Sequence, residues 1–354
     1  MKSNYKRLGD YICEVDVRNK ELSVTTLIGL TINKAFIPSV ANVIGTDLSN
    51  YKIICKEQFA CSLMQVSRDG KMPVAMFTDE IAIMSPAYPM FEVIDKSILM
   101  PQYLKMWFSR QEFDREASFY AVGGVRGSLT WEDFCDMRLP IPSIERQREI
   151  VAEYETLSKR IHLNEQLISK LEDTAQTLYR KMFVDGIEEY LNLGNIILPK
   201  KGKNITRQNC LNGKIPVVAG GIEPSCYHNV SNTEFPVITI SASGANAGYV
   251  SFYNQKIWAS DCSYIDASMY KYIYFLYVLL KNNQEKIFAM QEGTGQPHIY
   301  PEHISNLKIP QVENKEIEVY NNYARLIYEQ SFILKEENKI LTELESLLLA
   351  KIGQ

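Results

Sequence analysis

The sequence predicts an α+β protein in which two repeated globular domains are joined by two long helices that form an antiparallel coiled coil. Three observations support this fold class. Residues 123–140 resemble residues 293–310 without gaps, at a constant offset of 170. Two segments of about 40 residues carry a heptad pattern of apolar residues. The rest of each half mixes short strand-like runs with short helical runs, which is typical of α+β domains.

The internal repeat is visible at the level of single residues. Nine of the eighteen aligned positions are identical or conservatively replaced. Each half also opens with a similar phrase, residues 5–10 in the first and residues 190–195 in the second. The identical pairs are Gly123 and Gly293, Glu132 and Glu302, and Pro140 and Pro310, and the Gly and Pro pairs mark the two ends of the aligned segment.

Two segments have the pattern of long amphipathic helices. Apolar residues recur at steps of three and four from Ile150 to Met182, and again from Ile317 to Ile352. A helix of about 40 residues is about 60 Å long, whereas a domain of about 130 residues has a radius of gyration of about 14 Å. We therefore expect the two apolar stripes to bury each other in an antiparallel pair with a globular domain at each end. The alternative is that each helix packs on its own domain.

Polar residues interrupt both helical stripes. Asn164 and Asn338 occupy positions where the heptad pattern predicts an apolar residue. A polar residue at such a position lowers stability but fixes the register of pairing. We expect both residues in or beside the seam, and we expect that replacing Asn164 with Leu stabilises the pair while loosening its register.

These patterns divide the chain into four segments. The helices themselves are predicted at about 145–184 and 314–352. The four predicted segments are a first globular domain over 1–143, a central helix over 144–185, a second globular domain over 186–312 and a C-terminal helix over 313–354.

Small polar loops interrupt strand-like runs at matching places in the two halves. In the second half, residues 235–241 and 249–253 have the pattern of strands, and the loop 242–249 between them is rich in small residues. Such a loop lets the backbone approach a partner closely. Residues 64–71 occupy the matching place in the first half. An ordinary hairpin turn is the alternative interpretation of each loop.

Basic and polar side chains lie near these loops. Arg and Lys can bind phosphate or guanine, and Asn and Gln can bind adenine, so the combination predicts a surface that binds DNA. A solvated charged face is the alternative interpretation. The basic candidates are Lys200, Lys201, Lys203 and Arg207 in the second half and Arg68, Lys71 and Arg126 in the first. The polar candidates are Asn204, Gln208, Ser243, Asn246 and Gln296.

The overall charge argues against this interpretation. The formal net charge is −4, whereas phosphate contacts require Lys and Arg. A whole-chain charge averages over every face, however, so a protein that is acidic elsewhere can still carry one basic cleft.

Composition also indicates the cellular setting. The N-terminus lacks an apolar run behind its basic residues, and the most apolar stretch, residues 272–280, is better interpreted as a buried helix than as a membrane span. We therefore expect a cytoplasmic protein with no membrane partner. The seven cysteines form no C-x-x-C motif, so we expect ordinary buried thiols. Cys226 and His228 form the only close Cys/His pair, and we expect no metal there.

The motifs of several enzyme classes are missing from the sequence. There is no G-x-x-x-x-G-K-[ST] phosphate loop, no helix-opening G-x-G-x-x-G segment and no H-E-x-x-H or G-x-S-x-G motif. The N-P-P-Y and D-P-P-Y tetrapeptides expected of an adenine amino-methyltransferase are also missing. We therefore expect a binding protein without catalytic residues of its own.

The order of these phrases resembles the specificity subunits of Type I restriction–modification systems. The resemblance covers nearly the whole chain and rests on the repeated order of the phrases. They are Leu8-Gly9 and Leu193-Gly194, residues 238–250 (ITISASGANAGYV), residues 293–299 (GTGQPHI) with 307–310 (LKIP), residues 85–88 (SPAY), and residues 139–142 (LPIP) with 144–147 (IERQ). Two features depart from it: the second helix opens with residues 312–316 (VENKE), and the first half lacks the Gly-x-x-x-Gly loop.

The resemblance implies a specific division of labour. Two target-recognition domains would each read one half of a split double-stranded DNA site, and the coiled coil would fix the spacer and dock adenine methyltransferase subunits. S-adenosylmethionine and ATP would be bound only by partner subunits, including a translocating restriction subunit. The departures put in doubt that both domains contact DNA in the same way. The alternatives are a scaffold protein that does not bind DNA and an enzyme whose site the motifs do not reveal.

Overall fold

The computed structural model describes residues 5–39, 45–64, 66–122, 127–211, 213–293 and 295–353. The chain forms two compact units. The first unit contains residues 1–161 and 339–354, and the second contains residues 162–338. Each unit combines several small antiparallel sheets with short helices, so the predicted α+β class is confirmed.

The first unit is built on a four-stranded antiparallel sheet in the order β2-β9-β6-β7. Its core is aromatic: Phe59 and Phe91 stack across neighbouring strands with ring centroids 5.1 Å apart, and Phe108 packs edge-on against both. The strands are β1 (Tyr5–Arg7), β2 (Ile12–Glu14), β3 (Ile28–Leu30), β4 (Phe36–Pro38), β5 (Lys52–Cys55), β6 (Phe59–Cys61), β7 (Val74–Met76), β8 (Ile81–Met84), β9 (Met90–Val93) and β10 (Arg138–Pro140). The short helices are α1 (Val66–Asp69), α2 (Pro101–Phe108), α3 (Gln111–Ala121) and α4 (Trp131–Asp136).

The second unit has a matching four-stranded sheet in the order β12-β18-β15-β16. The apolar stretch 272–280 forms a buried helix against this sheet, as predicted. The strands are β11 (Tyr190–Asn192), β12 (Lys200–Lys201), β13 (Ile215–Val218), β14 (Cys226–His228), β15 (Val237–Ser241), β16 (Val250–Tyr253), β17 (Trp258–Ala259), β18 (Cys262–Asp266) and β19 (Lys308–Pro310). The short helices are α6 (Ile273–Asn282), α7 (Gln284–Phe288) and α8 (Pro301–Ser305).

The sequence repeat is a structural repeat. In each unit the first strand pairs antiparallel with the last strand before the long helix, β1 with β10 and β11 with β19. The next residues are held in the same way: the Leu8 N–H donates to the Met137 carbonyl (2.8 Å), and the Leu193 N–H donates to the Leu307 carbonyl (2.9 Å). The two halves differ beside the sheet, because the second unit contains a three-stranded sheet with one parallel pair, in the order β14-β13-β17.

Two long helices complete the chain, α5 (Ile144–Phe183) and α9 (Asn314–Ile352), which confirms the predicted spans. Both helices contribute to both units: residues 144–161 and 339–352 lie in the first, and residues 162–183 and 314–338 lie in the second. The idea that each helix packs only on its own domain is therefore wrong. Burial of the apolar heptad residues stabilises the pairing of the helices. All predicted seam residues are buried or half-buried.

Within the second unit the two helices run antiparallel. As residue numbers rise along α5, the numbers of the partners on α9 fall. The side-chain contacts that show this are Asn164 with Asn338 (2.8 Å), Glu172 with Lys335 (2.9 Å) and the Ala175 carbonyl with the Tyr320 hydroxyl (2.8 Å). Within the first unit, the Ser158 hydroxyl donates to the Glu345 carboxylate.

Gln147 fixes the start of α5 in the first unit. Its side chain is fully buried, and its Nε2 donates to the carbonyls of Ile98 (2.7 Å) and Pro142 (2.9 Å). Its Oε1 accepts a hydrogen bond from the Met100 N–H (2.8 Å). The amide thereby satisfies three backbone groups in the interior, where an unpaired polar group is costly.

Candidate functional site

The second unit carries a run of basic residues that has no acidic member from residue 200 to residue 222. Lys200 and Lys201 form β12, an edge strand that pairs with β18. These two side chains, like those of Lys203 and Arg207, are exposed. None of the four forms an ion pair with a described residue, so their charges are available to an anionic ligand.

The segment that follows β12 is tied to β17. The Lys203 N–H donates to the Ala259 carbonyl (2.9 Å), and Trp258 Nε1 donates to the Lys203 carbonyl (2.8 Å). Lys203 Nζ lies 6.0 Å from the centroid of the Trp258 ring, at the outer limit of a cation–π contact. The Ile205 N–H donates to the Ser260 hydroxyl (3.2 Å). The basic run is therefore held on the sheet while its side chains point outward.

The loop 242–249 connects β15 to β16 and contains a 3₁₀ turn, Gly244–Asn246. Gly248 has φ +86°, a left-handed conformation that favours glycine. The Ala242 N–H donates to the Asp261 carbonyl (3.2 Å), and the Ser243 hydroxyl donates to the Asp261 carboxylate. The loop is thus attached next to the residues that hold the basic run. The first unit has residues 62–73 in the equivalent connection, between β6 and β7, which confirms the predicted match.

A two-stranded turn lies beside this loop. Glu292 and His298 exchange backbone hydrogen bonds (2.9 and 2.8 Å). The Gly244 N–H donates to the Pro297 carbonyl (3.0 Å). Gln296 therefore lies next to the loop that carries Ser243 and Asn246, and its side chain is exposed. The structure brings the second-half candidates onto neighbouring segments.

The first unit arranges its candidates differently. Arg68 lies on α1 and forms an ion pair with its neighbour Asp69 (2.6 Å), which partly neutralises its charge. Lys71 is exposed at the edge of a polar cleft of about 450 Å³. Arg126 lies outside the described residues.

An ion pair that the sequence did not reveal organises that cleft. Lys34 Nζ lies 2.8 Å from Asp114 Oδ1, and both side chains are largely buried. Burial lowers the pKa of the Lys34 ammonium, and the Asp114 carboxylate opposes this shift. The same Asp114 oxygen accepts a hydrogen bond from the Met72 N–H (3.1 Å). Asp114 therefore fixes the backbone beside Lys71.

Other residues near the candidate surface were also missed. Lys214 and Tyr227 line a cleft beside Arg207, and Trp258 supports Lys203. The acid-free run extends past Lys214, so its length was a usable signal. No sequence signal marked Tyr227 and Trp258, because their positions depend on pairing between distant strands.

The expectation of buried thiols is wrong for four cysteines. Cys210 and Cys226 form a disulfide, with Cα atoms 6.5 Å apart. The segment around residue 210 folds back on β14, which brings residues 16 apart in sequence together. Cys13 and Cys55 are exposed, whereas the other three are buried.

The described residues contain neither a metal site nor a membrane span. Among them, no group of three or more His, Cys, Asp or Glu side chains is placed to hold a metal ion. None of the described helices combines the length and apolar character required to cross a membrane.

Comparison with known proteins gives a family match for the second domain. Residues 189–319 match the family model described as Type I restriction modification DNA specificity domain. This range contains the basic run, the loop 242–249 and Gln296. Over these residues the chain is therefore similar to the DNA specificity domains of Type I restriction–modification systems. The resemblance recognised in the sequence is thereby confirmed.

Relatives of this specificity family extend the likeness beyond the matched domain. A protein of Mycoplasma pneumoniae named as a type I specificity subunit is 23% identical over 269 residues, covering 70% of this chain and 71% of that protein. The crystal structure of a type I restriction–modification S subunit from M. genitalium has a TM-score of 0.66 at 18% identity. That likeness covers 99% of this chain and 96% of the other, so the whole fold is shared.

Proposed function

We propose that this chain is the DNA sequence-recognition subunit of a Type I restriction–modification complex and that its two domains each read one half of a bipartite double-stranded site. One coincidence carries the proposal. The segment that matches the DNA specificity domain also holds exposed cations that pair with no described residue, and they lie beside polar side chains that are exposed or half-exposed. DNA recognition requires both classes, because cations bind phosphates and polar side chains distinguish bases.

In the second domain, the cations and the polar side chains have separate roles. Lys200, Lys201, Lys203 and Arg207 neutralise phosphates, whereas Asn246 and Gln296 contact base edges. Ser243 positions the loop, because its hydroxyl is already bonded to the Asp261 carboxylate.

In the first domain, Lys71 and Arg68 contact the other half-site together with Arg126. The ion pair between Arg68 and Asp69 implies a weaker electrostatic contribution from this residue. Different contact residues in the two domains are consistent with recognition of two different half-sites.

The helix pair sets the spacer between the half-sites and docks the methyltransferase subunits. Its surface supports docking, since α9 exposes several large apolar side chains that no described residue covers. Within the second unit these are Val319, Tyr323, Leu326 and Ile333. Within the first unit an apolar groove of about 660 Å³ runs between the helix segments and is lined by Leu157, Leu344, Leu347 and Leu348. Neighbouring exposed apolar side chains are a feature of protein interfaces.

In this proposal the partner subunits carry out the catalytic reactions. Adenine methyltransferase subunits supply S-adenosylmethionine and catalysis, and a restriction subunit supplies ATP-driven translocation, so this chain needs no cofactor of its own. In this proposal the two recognition domains are residues 1–143 and 186–312, and the two helical segments are residues 144–185 and 313–354.

The experiment is a methylation assay on the reconstituted complex. The purified chain alone, an adenine methyltransferase partner alone and the two together are each incubated with genomic DNA and S-adenosylmethionine, and methylated sites are mapped by sequencing. We expect methylation at a single split sequence only when both proteins are present. A complex that assembles but methylates without sequence preference, or binds no DNA, would support the scaffold alternative. Methyl transfer by this chain alone would refute its non-catalytic role.

A further inference from the structure

A second basic feature of the second unit lies outside the loops considered so far. An open cleft of about 650 Å³ is lined by Arg207, Cys210, Gly213, Lys214, Cys226 and Tyr227. Its charged lining residues are Arg207 and Lys214, and the ring of Tyr227 forms an exposed wall. None of the described residues that line it is acidic, so this lining carries two uncompensated positive charges.

Three contacts fix the two walls of the cleft relative to each other. Leu211 donates from its N–H to Nδ1 of the buried His228 (3.0 Å). The Cys210–Cys226 disulfide joins the walls one residue earlier. The backbone also approaches closely, since a Cβ added at Gly213 would lie 2.1 Å from the His228 carbonyl oxygen. The position of Lys214 is therefore built into the fold.

Neither cation is neutralised by a described residue. Arg207 and Lys214 are exposed, and neither forms an ion pair with a described residue. Lys256 offers a contrast in the same unit, because its Nζ lies 2.8 Å from the Glu234 carboxylate. A long, flexible ammonium side chain that remains unpaired in a cleft without carboxylates is suited to a solvent-exposed anion.

The placement of the cleft indicates which anion. Arg207 belongs to the same acid-free run as Lys200, so the cleft continues the basic surface already assigned to phosphates. Cations spaced along an open groove match a polyanion with regularly spaced charges better than one small anion. The ring of Tyr227 offers an apolar face that can pack against a deoxyribose. Its hydroxyl can donate a hydrogen bond to a phosphate.

We propose that this cleft binds the sugar–phosphate backbone of duplex DNA, with Arg207 and Lys214 as phosphate contacts and Tyr227 as the wall against the sugar. The inference rests on the proposed function and extends it to Lys214 and Tyr227. It assigns this part of the second unit to affinity and not to base discrimination, because phosphates are the same in every sequence.

The test uses the full chain assembled with its methyltransferase partner. Binding to a fluorescent random-sequence duplex and to the mapped target duplex is measured by anisotropy between about 50 and 200 mM salt. Lys214→Gln and Arg207→Gln are compared with Lys256→Gln, in which the lysine is already paired. We expect each cleft variant to weaken binding to both duplexes by the same factor and to reduce the slope of log K against log salt by about 0.9. Tyr227→Ala should weaken both duplexes equally without changing the slope.

The outcomes separate this inference from the proposed function. If the wild-type complex binds the duplexes and both cleft variants keep its affinity and salt slope, the cleft makes no phosphate contact. If the variants form the complex only at a higher methyltransferase concentration but then bind DNA with the wild-type affinity and salt slope, the cleft is a protein-binding surface instead. If the wild-type complex itself binds no duplex, the proposed function fails.

Discussion

Asn164 donates a hydrogen bond from Nδ2 to Oδ1 of Asn338 at 2.8 Å, and this bond joins the two long helices inside the second unit. The same amide group lies 3.1 Å from the Glu337 carboxylate. Asn164 is buried, with 3% of its surface exposed. A shift of either helix by one heptad would separate the two amides and place Asn338 opposite Leu157 or Leu171. The pair therefore fixes the register, as the heptad pattern predicted.

This bond changes the expectation for the Asn164→Leu variant. Sequence reasoning predicts stabilisation, but the single substitution removes a partner of Asn338 and leaves part of a half-buried amide unsatisfied. We now expect Asn164→Leu to lower the free energy of unfolding by about 1–3 kcal/mol. The double variant Asn164→Leu/Asn338→Leu should be at least as stable as the wild type but less specific in register. Denaturant unfolding measures stability, and disulfide trapping between engineered cysteines on the two helices measures register. A single variant as stable as the double variant would show that the hydrogen bond is not formed.

Gln147 provides a test of the junction between the first globular domain and its helix. Gln147→Ala removes one acceptor and two donors from three buried backbone groups. We expect a loss of about 2–4 kcal/mol in the free energy of unfolding, within the range for disruption of a buried polar network. Gln166→Ala, at an exposed position on the same helix, is the matched control and should change stability by less than about 0.5 kcal/mol. Equal effects of the two variants would contradict the anchoring role of Gln147.

Buried tyrosines make the second unit sensitive to alkaline pH. Burial raises the pKa of Tyr253, Tyr270 and Tyr274 to about 12 in each case. An unfolded tyrosine has a pKa of about 10, so the folded state binds more protons between these values, and stability is present below pH 10 and lost as pH rises toward 12. We expect the denaturation midpoint to fall over this window and to fall less steeply in Tyr274→Phe. Tyr323→Phe, at an exposed position, should keep the wild-type slope. Parallel curves for wild type and Tyr274→Phe would contradict the assignment.

The candidate DNA surface predicts two kinds of binding defect. Changing Lys200 and Lys201 to Ala should weaken binding of the assembled complex to all duplexes alike and reduce its salt dependence. Changing Asn246 to Ala should cost about 1–3 kcal/mol on the target duplex alone and relax preference at one base pair. Measuring the affinity for the target duplex and for duplexes with single-base changes in one half-site distinguishes a uniform defect from a sequence-specific one. A uniform defect in the Asn246 variant would assign this residue to the backbone.

Regular periodicities made the fold predictable. The heptad stripes located both helices because apolar burial along a 3.6-residue period depends only on local spacing. The repeat predicted that the two halves share one architecture, and the structure shows that the repeated phrases form the opening and closing strands of each unit. The four-stranded sheets could not be ordered from sequence, because β12 and β18 pair across more than sixty residues.

The candidate site was less predictable than the fold. The run from Lys200 to Arg207 and the loop 242–249 were located by composition. Their attachment to the segment between Trp258 and Asp261 depends on tertiary contacts that leave no local pattern. The Lys34–Asp114 pair and the Cys210–Cys226 disulfide were missed for the same reason. Each joins residues that are separated in sequence and lack a motif.

The most direct test of the central claim exchanges one recognition domain. Residues 190–312 are replaced by the equivalent domain of a relative with a different target, and the sites methylated by the reconstituted complex are mapped by sequencing. If each domain reads one half-site while the helices set the spacer, one half-site should change to that of the donor, and the other half-site and the spacer length should stay as they were. A change in both half-sites, or in the spacer, would contradict the division of this chain into two independent recognition domains and a spacing helix pair.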